Sequence, residues 1–170
     1  MRAKKNRQPS QETSVCLADT PLGHVLLSFT ANGLAALEFA REDSQISLGP
    51  PPLPVLEPMI SAVVKELQAF FAGEPADFSS LPLDLQGTPF QKKVWQELRR
   101  LPRGSTISYR ELAARVGHPK ASRAVGQANA VNPVPIIVPC HRVISADGRL
   151  GGYSSGPERK RWLLRHEGAL

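Results

Sequence analysis

Asn132-Pro133-Val134-Pro135-Ile136-Ile137-Val138-Pro139-Cys140-His141-Arg142-Val143 is the most informative stretch of this 170-residue chain. Ile136, Ile137 and Val138 form a short apolar run, which predicts a buried strand. Pro139 has no amide hydrogen to give a sheet, so pairing is expected to end there and Cys140 to sit where the chain turns out of the sheet. His141 and Arg142 both favour the thiolate, the reactive form of a thiol. A lone cysteine is more often a buried structural residue. Three prolines and two basic neighbours in so short a span point instead to a nucleophile held in a built site.

Downstream and upstream of this stretch the second half of the chain reads as helices. Thr88-Pro89-Phe90-Gln91 supplies a cap, a proline at the first helical position and a glutamine at the third. Phe90, Val94, Trp95, Leu98 and Leu101 then form one apolar stripe facing a core. Ser108-Tyr109-Arg110-Glu111 is a second capping box, opening a helix through Val116 that Gly117 ends. His118-Pro119 restarts the chain as a helix through about Ala130. Two short helices around a glycine turn, ahead of a strand, predict a helix-turn-helix, whose second helix would meet DNA. Ala121, Ser122, Ala124, Gly126, Ala128 and Ala130 give that helix a low surface from which Arg123 projects. The same small residues would also suit tight packing on another helix. Beyond the thiol, Ser145-Ala146-Asp147-Gly148 is a turn. Gly151-Gly152-Tyr153-Ser154-Ser155-Gly156 is a loop whose backbone can approach a planar ligand. Pro157 begins a last helix with Trp162, Leu163 and Leu164, ended by Gly168. Glu167 then stands at its C-terminus, where a carboxylate opposes the helix dipole; orienting a histidine would be a reason for it.

Charge divides the chain at the same place. Residues 1–87 hold 6 Lys/Arg against 10 Asp/Glu, a net −4, whereas residues 88–170 hold 15 against 5, a net +10. A basic half that also carries the thiol suggests a polyanionic partner. Arg99, Arg100 and Arg103, with Arg159, Lys160 and Arg161, look clustered for that purpose.

The first half contains nothing suited to chemistry. Val25, Leu27 and Phe29 alternate, Asn32-Gly33 follows, and Leu34, Leu37 and Phe39 continue: a hairpin signal. Residues 41–55, with Gly49-Pro50-Pro51-Pro52 and Pro54, read as a stiff loop. Pro58 to Ala72 carries Ile60, Val63, Val64, Leu67, Phe70 and Phe71 at helical spacing, and Gly73 stops it. Residues 74–87 form a connector with a short strand expected near Leu81 to Leu85. Cys16 and His24 lack the second pair of ligands that a closed zinc site needs, so no metal and no cofactor is expected. Two cysteines suggest a reducing compartment. The basic residues Arg2, Lys4, Lys5 and Arg7 precede no apolar segment, and no window is long enough to span a membrane. The expected location is cytoplasmic.

Pro139-Cys140-His141-Arg142-Val143, the preceding Asn132-Pro133-Val134-Pro135 and the following Gly152-Tyr153-Ser154 resemble the O6-alkylguanine-DNA alkyltransferases. The resemblance runs nearly continuously over residues 88–168, through Ser108-Tyr109, Ser122-Arg123-Ala124-Val125-Gly126 and His166-Glu167-Gly168. Residues 14–87 resemble the family only in arrangement. The resemblance implies an α/β two-domain fold. After a basic tail (1–13) come a ribonuclease-H-like α+β domain (14–87) and a mostly helical winged-helix or helix-turn-helix domain (88–170) carrying the active-site cysteine.

The resemblance also implies roles. Cys140 would attack the alkyl carbon on O6 of guanine, with O4-alkylthymine as a second substrate, in one irreversible turnover after base flipping. His141 would deprotonate the thiol through a bridging water, and Glu167 would orient His141. Tyr109 would donate to the guanine ring and the Ser154 amide to O6, with Tyr153 beside it in the pocket. The carbonyls of Cys140 and Val143 would read the exocyclic amine, and Asn132 would brace the turn. Arg123 would fill the gap left by the extruded nucleotide. Ser122, Tyr109 and Asn129 would lie on the DNA side, Asn129 standing where some relatives carry a methionine that contacts the groove. The implied partner is double-stranded DNA, bound by a monomer without a membrane. Two other readings compete: a DNA-binding lesion sensor or regulator without transfer, which gives no reason for Cys140 and Glu167, and a cysteine hydrolase, which explains neither Arg123 nor the charge split.

Overall fold

The computed structural model describes residues 13–40 and 54–170. The basic tail and most of the proline-rich segment expected as a stiff loop lie outside the described residues. Three antiparallel strands, β1 (Thr13–Thr20), β2 (Gly23–Thr30) and β3 (Gly33–Phe39), form a sheet in the order β1-β2-β3. Alternation does its work here. Val25, Leu27 and Phe29 are fully buried on one face, and Leu34 and Leu37 join them from β3. Each such side chain contributes roughly 1.5–3 kcal/mol by leaving water.

The second hairpin turns one residue earlier than Asn32-Gly33 predicts. Thr30 pairs with Gly33, leaving Ala31 and Asn32 at the turn. The connector explains the shift. Thr30 Oγ1 accepts from the Asn32 amide at 3.2 Å and donates to Asp84 at 2.7 Å. Gly33 lies so close to the connector that a Cβ there would stand 2.6 Å from the Pro82 carbonyl oxygen. The strand expected near Leu81 to Leu85 reduces to a single parallel bridge, Leu34 with Leu83. Helix α1 (Glu57–Phe71) buries Ile60, Val63, Leu67 and Phe70, and the chain leaves it through Gly73 at φ +79°.

In the second half α2 (Pro89–Arg99) and α3 (Tyr109–Arg115) both begin at complete capping boxes, Thr88 with Gln91 and Ser108 with Glu111. Helix α4 (Ser122–Ala130) starts later than predicted, because residues 118–121 form a turn closed by Ala121 N–H donating to His118 O at 2.8 Å. The three helices pack together, and Trp95 of α2 donates its indole N–H to Ala128 O at 2.8 Å. Two short strands, β4 (Ile107–Ser108) and β5 (Val143–Ile144), pair in parallel, and α5 (Pro157–His166) closes the chain. The fold is α/β with two parts, as the resemblance implies.

Ile136, Ile137 and Val138 are buried, but they are not a strand. They lie in a compact turn in which Val138 N–H donates to Val134 O at 2.9 Å. Pro133, Pro135 and Pro139 remove the amides a ladder would need. Asn132 closes the turn instead: its Oδ1 accepts from Val134 N–H at 3.1 Å and its Nδ2 donates to Val138 O at 2.8 Å. Ile136 is held at φ +73°, a conformation that costs a β-branched residue and persists only when its surroundings impose it. Cys140 thus leaves a braced turn, not a sheet, and opens a single 3-10 turn, Cys140–Arg142.

The two parts meet closely. Leu37 N–H of β3 donates to Pro133 O at 2.8 Å, joining the sheet edge to the braced turn. His166 stacks on Trp162 with ring centroids 4.5 Å apart, meets Phe70 edge-on and bonds the Phe70 carbonyl at 2.5 Å.

Candidate active site

Cys140 and His141 are 1% and 0% exposed, held between the braced turn and β5. Glu167, the residue that caps the C-terminus of α5, reaches them from 26 positions away. His141 Nε2 lies 3.0 Å from Glu167 Oε1. That bond assigns the ring hydrogen to Nε2, because a carboxylate can only accept. Nδ1 then carries the lone pair, and it is buried without a hydrogen-bond partner. A neutral imidazole with an unpartnered acceptor, on the residue that follows a buried cysteine, is suited to serve a thiol nucleophile as general base.

Electrostatics agree with neutral partners at rest. Burial pushes His141 below the usual histidine value; Glu167 pulls it up, while Arg142 and Lys160 push it further down. Burial also raises the Cys140 thiol, opposed by Asn132, Tyr153 and the Lys160 ammonium. The Tyr153 hydroxyl is buried beside the sulfur without completing a hydrogen bond, and its acidity is suppressed well beyond that of free tyrosine by burial and then by Cys140. Burial would raise Glu167 as well, but hydrogen bonds from His141 and Arg142 outweigh it and hold the carboxyl at about 2.

Arg142 therefore acts elsewhere than its sequence position suggests. Its Nε and Nη2 each donate to Glu167 at 2.8 Å, and Nη1 donates to the Leu101 carbonyl. It does not favour the thiolate directly, and neither does an uncharged His141. Arg142 is directed to Glu167 and Leu101 although it lies two positions from Cys140, because a 3-10 turn sends consecutive side chains in different directions.

Tyr109 opens α3 half-buried, flanked by two glycines. A Cβ at Gly126 would stand 3.8 Å from its ring, and one at Gly151 would stand 3.5 Å from its hydroxyl. The small residues of α4 thus serve packing against Tyr109 as well as any outer surface. Ser154 is exposed on the loop between Gly151 and Gly156. The Val143 carbonyl accepts from Lys160 at 2.6 Å and keeps a second lone pair. The Cys140 carbonyl already accepts from Asn129 Nδ2 at 3.2 Å and from the Val143 amide.

Asn129 is a correction. It is 4% exposed and faces the Cys140 carbonyl, so it supports the active-site turn and presents nothing to a groove. Ser122 is half-buried and Arg123 exposed on α4. The basic clusters need a second correction. Arg99 donates to the carbonyls of Phe78, Ser79 and Leu81, and Arg103 to those of Glu74 and His166. Arg100 pairs with Glu97 and Arg161 with Glu158. Arg159 bonds the Ser155 carbonyl and lies 5.0 Å over Phe39. These cations are occupied within the protein, whereas Arg110, Lys120 and Arg123 are exposed on and around α3 and α4.

Lys160 was not legible as a site residue. It is completely buried and donates to the carbonyls of Val143, Leu150 and Gly152, tying the segment after the thiol to the glycine-rich loop. Burial lowers it to about 8. Its only sequence signal was a charge inside the apolar face of α5. Among the described residues no group of three or more His, Cys, Asp or Glu is placed to hold a metal, and no helix is long and apolar enough to cross a membrane.

Comparison with known proteins covers both parts of the chain. Residues 89–169 match the 6-O-methylguanine DNA methyltransferase DNA binding domain, and residues 15–85 match the 6-O-methylguanine DNA methyltransferase ribonuclease-like domain. A methylated-DNA–protein-cysteine methyltransferase of Methanosarcina acetivorans is 44% identical over 151 residues, which cover 89% of this chain and 96% of that protein. One from Mycobacterium tuberculosis is 45% identical over 152 residues, 88% of each. The crystal structure of Mycobacterium tuberculosis OGT in complex with DNA superimposes with a TM-score of 0.78 at 43% identity, covering 90% of this chain and 91% of that one. The O6-methylguanine-DNA methyltransferase of Pyrococcus kodakaraensis superimposes with a TM-score of 0.62 at 30% identity, covering 92% of this chain and 98% of that one.

Proposed function

This chain belongs to the 6-O-methylguanine DNA methyltransferase family, and from that premise we propose that it repairs O6-alkylguanine in double-stranded DNA by moving the alkyl group onto Cys140. It is a methylated-DNA–protein-cysteine methyltransferase that acts as a monomer, with residues 14–87 as its N-terminal domain and 88–170 as its DNA-binding and transfer domain. O4-alkylthymine is a second substrate.

The observation that carries this reading is the buried line from Glu167 through His141 Nε2 to the unpartnered Nδ1, on the residue adjoining the buried Cys140. His141 takes the thiol proton, through one bridging water. The S–C bond then forms as the C–O6 bond breaks with its electron pair left on the guanine, which takes a ring hydrogen from water while His141 gives up the proton of the thiol to solvent. No tetrahedral oxyanion arises at a saturated carbon, so the site needs a soft nucleophile and a stabilised leaving group. Tyr109 donates to the guanine ring and the Ser154 amide to O6. The free lone pair of the Val143 carbonyl accepts from the exocyclic amine, and Tyr153 closes the pocket over the sulfur. Asn132 keeps the braced turn from which the thiol projects.

A base within a duplex cannot reach a sulfur that is 1% exposed, so the nucleotide has to be everted. Eversion costs a few kcal/mol, less for a mispaired lesion. Arg123, exposed on α4, fills the vacated stack, and Ser122 and Tyr109 flank it. Exposed Arg110 and Lys120 add phosphate contacts that offset the cost. The thioether product has no hydrolysable bond, so each molecule reacts once. Intact mass after exposure to a duplex containing O6-methylguanine tests the reading: one methyl group gained, mapped to Cys140, is expected. An unchanged mass with the DNA still bound would establish a lesion sensor instead, and many lesions cleared per molecule would overturn the single turnover.

A further inference from the structure

Glu167 is an awkward residue to hold in a fixed orientation. It caps the C-terminus of α5, where the helix dipole repels a carboxylate, and a single hydrogen bond from His141 would leave it free to rotate. It does not rotate here because Arg142 grips both oxygens. Oε1 accepts from His141 Nε2 at 3.0 Å and from Arg142 Nη2 at 2.8 Å, while Oε2 accepts from Arg142 Nε at 2.8 Å. The third arm of the guanidinium donates to the Leu101 carbonyl, just past the C-terminus of α2, where a cation is favoured. Arg142 is 7% exposed, and these partners engage all three guanidinium nitrogens.

We infer that Arg142 is a positioning residue for alkyl transfer: anchored by Leu101, its fork fixes the Glu167 carboxylate so that His141 keeps its hydrogen on Nε2 and presents Nδ1 to the thiol. The inference rests on the proposed transfer to Cys140. It adds a fourth member to a line of three and ties that line to α2, which carries no residue of the reaction. A lysine cannot reproduce the arrangement, since an ammonium is a point charge without a planar fork.

The charged or titratable groups around the imidazole and the carboxylate are Arg142 from the 3-10 turn, Lys160 from α5, and Cys140 and Tyr153 beside them. Arg142 and Lys160 disfavour a protonated imidazole. Removing the Arg142 charge therefore makes His141 easier to protonate, and the acid limb of the rate profile moves to higher pH.

The test is single-turnover transfer from O6-methylguanine duplex, followed across pH for the full-length protein and for Arg142→Gln and Arg142→Lys, with DNA affinity measured alongside. Arg142→Gln is expected to lose about 10- to 100-fold in rate, the usual cost of removing an outer hydrogen-bond partner of a working histidine, and to shift the acid limb upward. Arg142→Lys, which keeps the charge, is expected to lose rate by a similar factor with the limb unmoved and DNA affinity retained. Wild-type rate in either variant would overturn the inference, as would an equal loss at every pH in both, which a scaffold role would give. Should Arg142→Gln fail to fold, Arg142→Lys decides alone: reduced rate with intact affinity supports the role, and full rate removes it. Absence of S-methylation in the unmodified protein would instead sink the transfer reading itself.

Discussion

His141 Nε2 and Glu167 Oε1 stand 3.0 Å apart with both side chains withdrawn from solvent, although 25 residues separate them in the chain. A carboxylate so placed fixes the tautomer of the ring and, in the proposed transfer, would stabilise the imidazolium formed when the thiol gives up its proton. Glu167→Gln keeps the shape but not the charge. It should slow transfer by about 10²- to 10⁴-fold, the range general-base catalysis supplies, with little change in DNA affinity. Rapid-quench measurement of the methylated peptide reads the rate, and an unchanged rate would take Glu167 out of the mechanism.

The same carboxylate links stability to acid. Its value in the folded protein is about 2, against 4.5 for an unperturbed group. A depressed carboxylate contributes stability that is complete above the unfolded value and is lost as pH falls through the folded one. The loss should therefore run from about pH 4.5 down to about 2, with a magnitude on the order of 3 kcal/mol. Denaturant unfolding across that window checks it. Glu167→Ala should flatten this part of the curve and, by leaving the Arg142 charge buried alone, lower stability near neutral pH by about 3–5 kcal/mol.

Cys140→Ser should abolish transfer and leave DNA binding nearly intact, because a thiol 1% exposed contributes nothing to phosphate contact. Titration with labelled O6-methylguanine duplex measures both in one experiment. Residual methylation of the serine variant, mapped to Cys16 or elsewhere, would show that the nucleophile had been misassigned.

Arg123 is exposed on α4 and is proposed to enter the base stack. Arg123→Ala should slow reaction with a duplex by roughly tenfold or more, since unstacking costs a few kcal/mol that the side chain helps offset. Reaction with free O6-methylguanine base, which needs no eversion, should be almost unchanged. Equal losses on both substrates would place Arg123 in the chemistry and not in the stack.

What the sequence reveals and conceals follows the range of each interaction. The helix starts at Thr88 and Ser108 are legible because a capping box is complete within four residues, and both boxes form. The stop at Gly73 is equally local. The apolar run at Ile136 to Val138 reads as a strand because burial and alternation look alike over three residues. What overrides it is Asn132 bonding across six positions and the chain's lack of amides at three prolines. The hairpin slips by one residue because Gly33 answers to Pro82, far along the chain. Cys140, His141 and Glu167 are recognisable as types of residue, but Arg142 reads only as a charge beside the thiol and Lys160 only as part of a basic cluster, since their partners are carbonyls and a carboxylate that only the folded chain brings near.

The occupied arginines give a prediction that separates charge from contact. Arg99 donates to three carbonyls of the segment joining the two parts, those of Phe78, Ser79 and Leu81. Arg99→Met keeps the stem and removes the donors, so it should destabilise the protein by about 1–3 kcal/mol, the cost of unpaired carbonyls. That corresponds to a fall of roughly 2–4 °C in Tm per kcal/mol for a chain of this size. DNA affinity and its salt dependence should stay as they are. Lys120→Gln, on the exposed face, should do the reverse: little change in Tm, and a shallower dependence of log affinity on log salt by about 0.9 if it meets one phosphate. A reduced salt slope in Arg99→Met would return that cluster to the DNA-binding face and require the interdomain bonds to open when DNA binds.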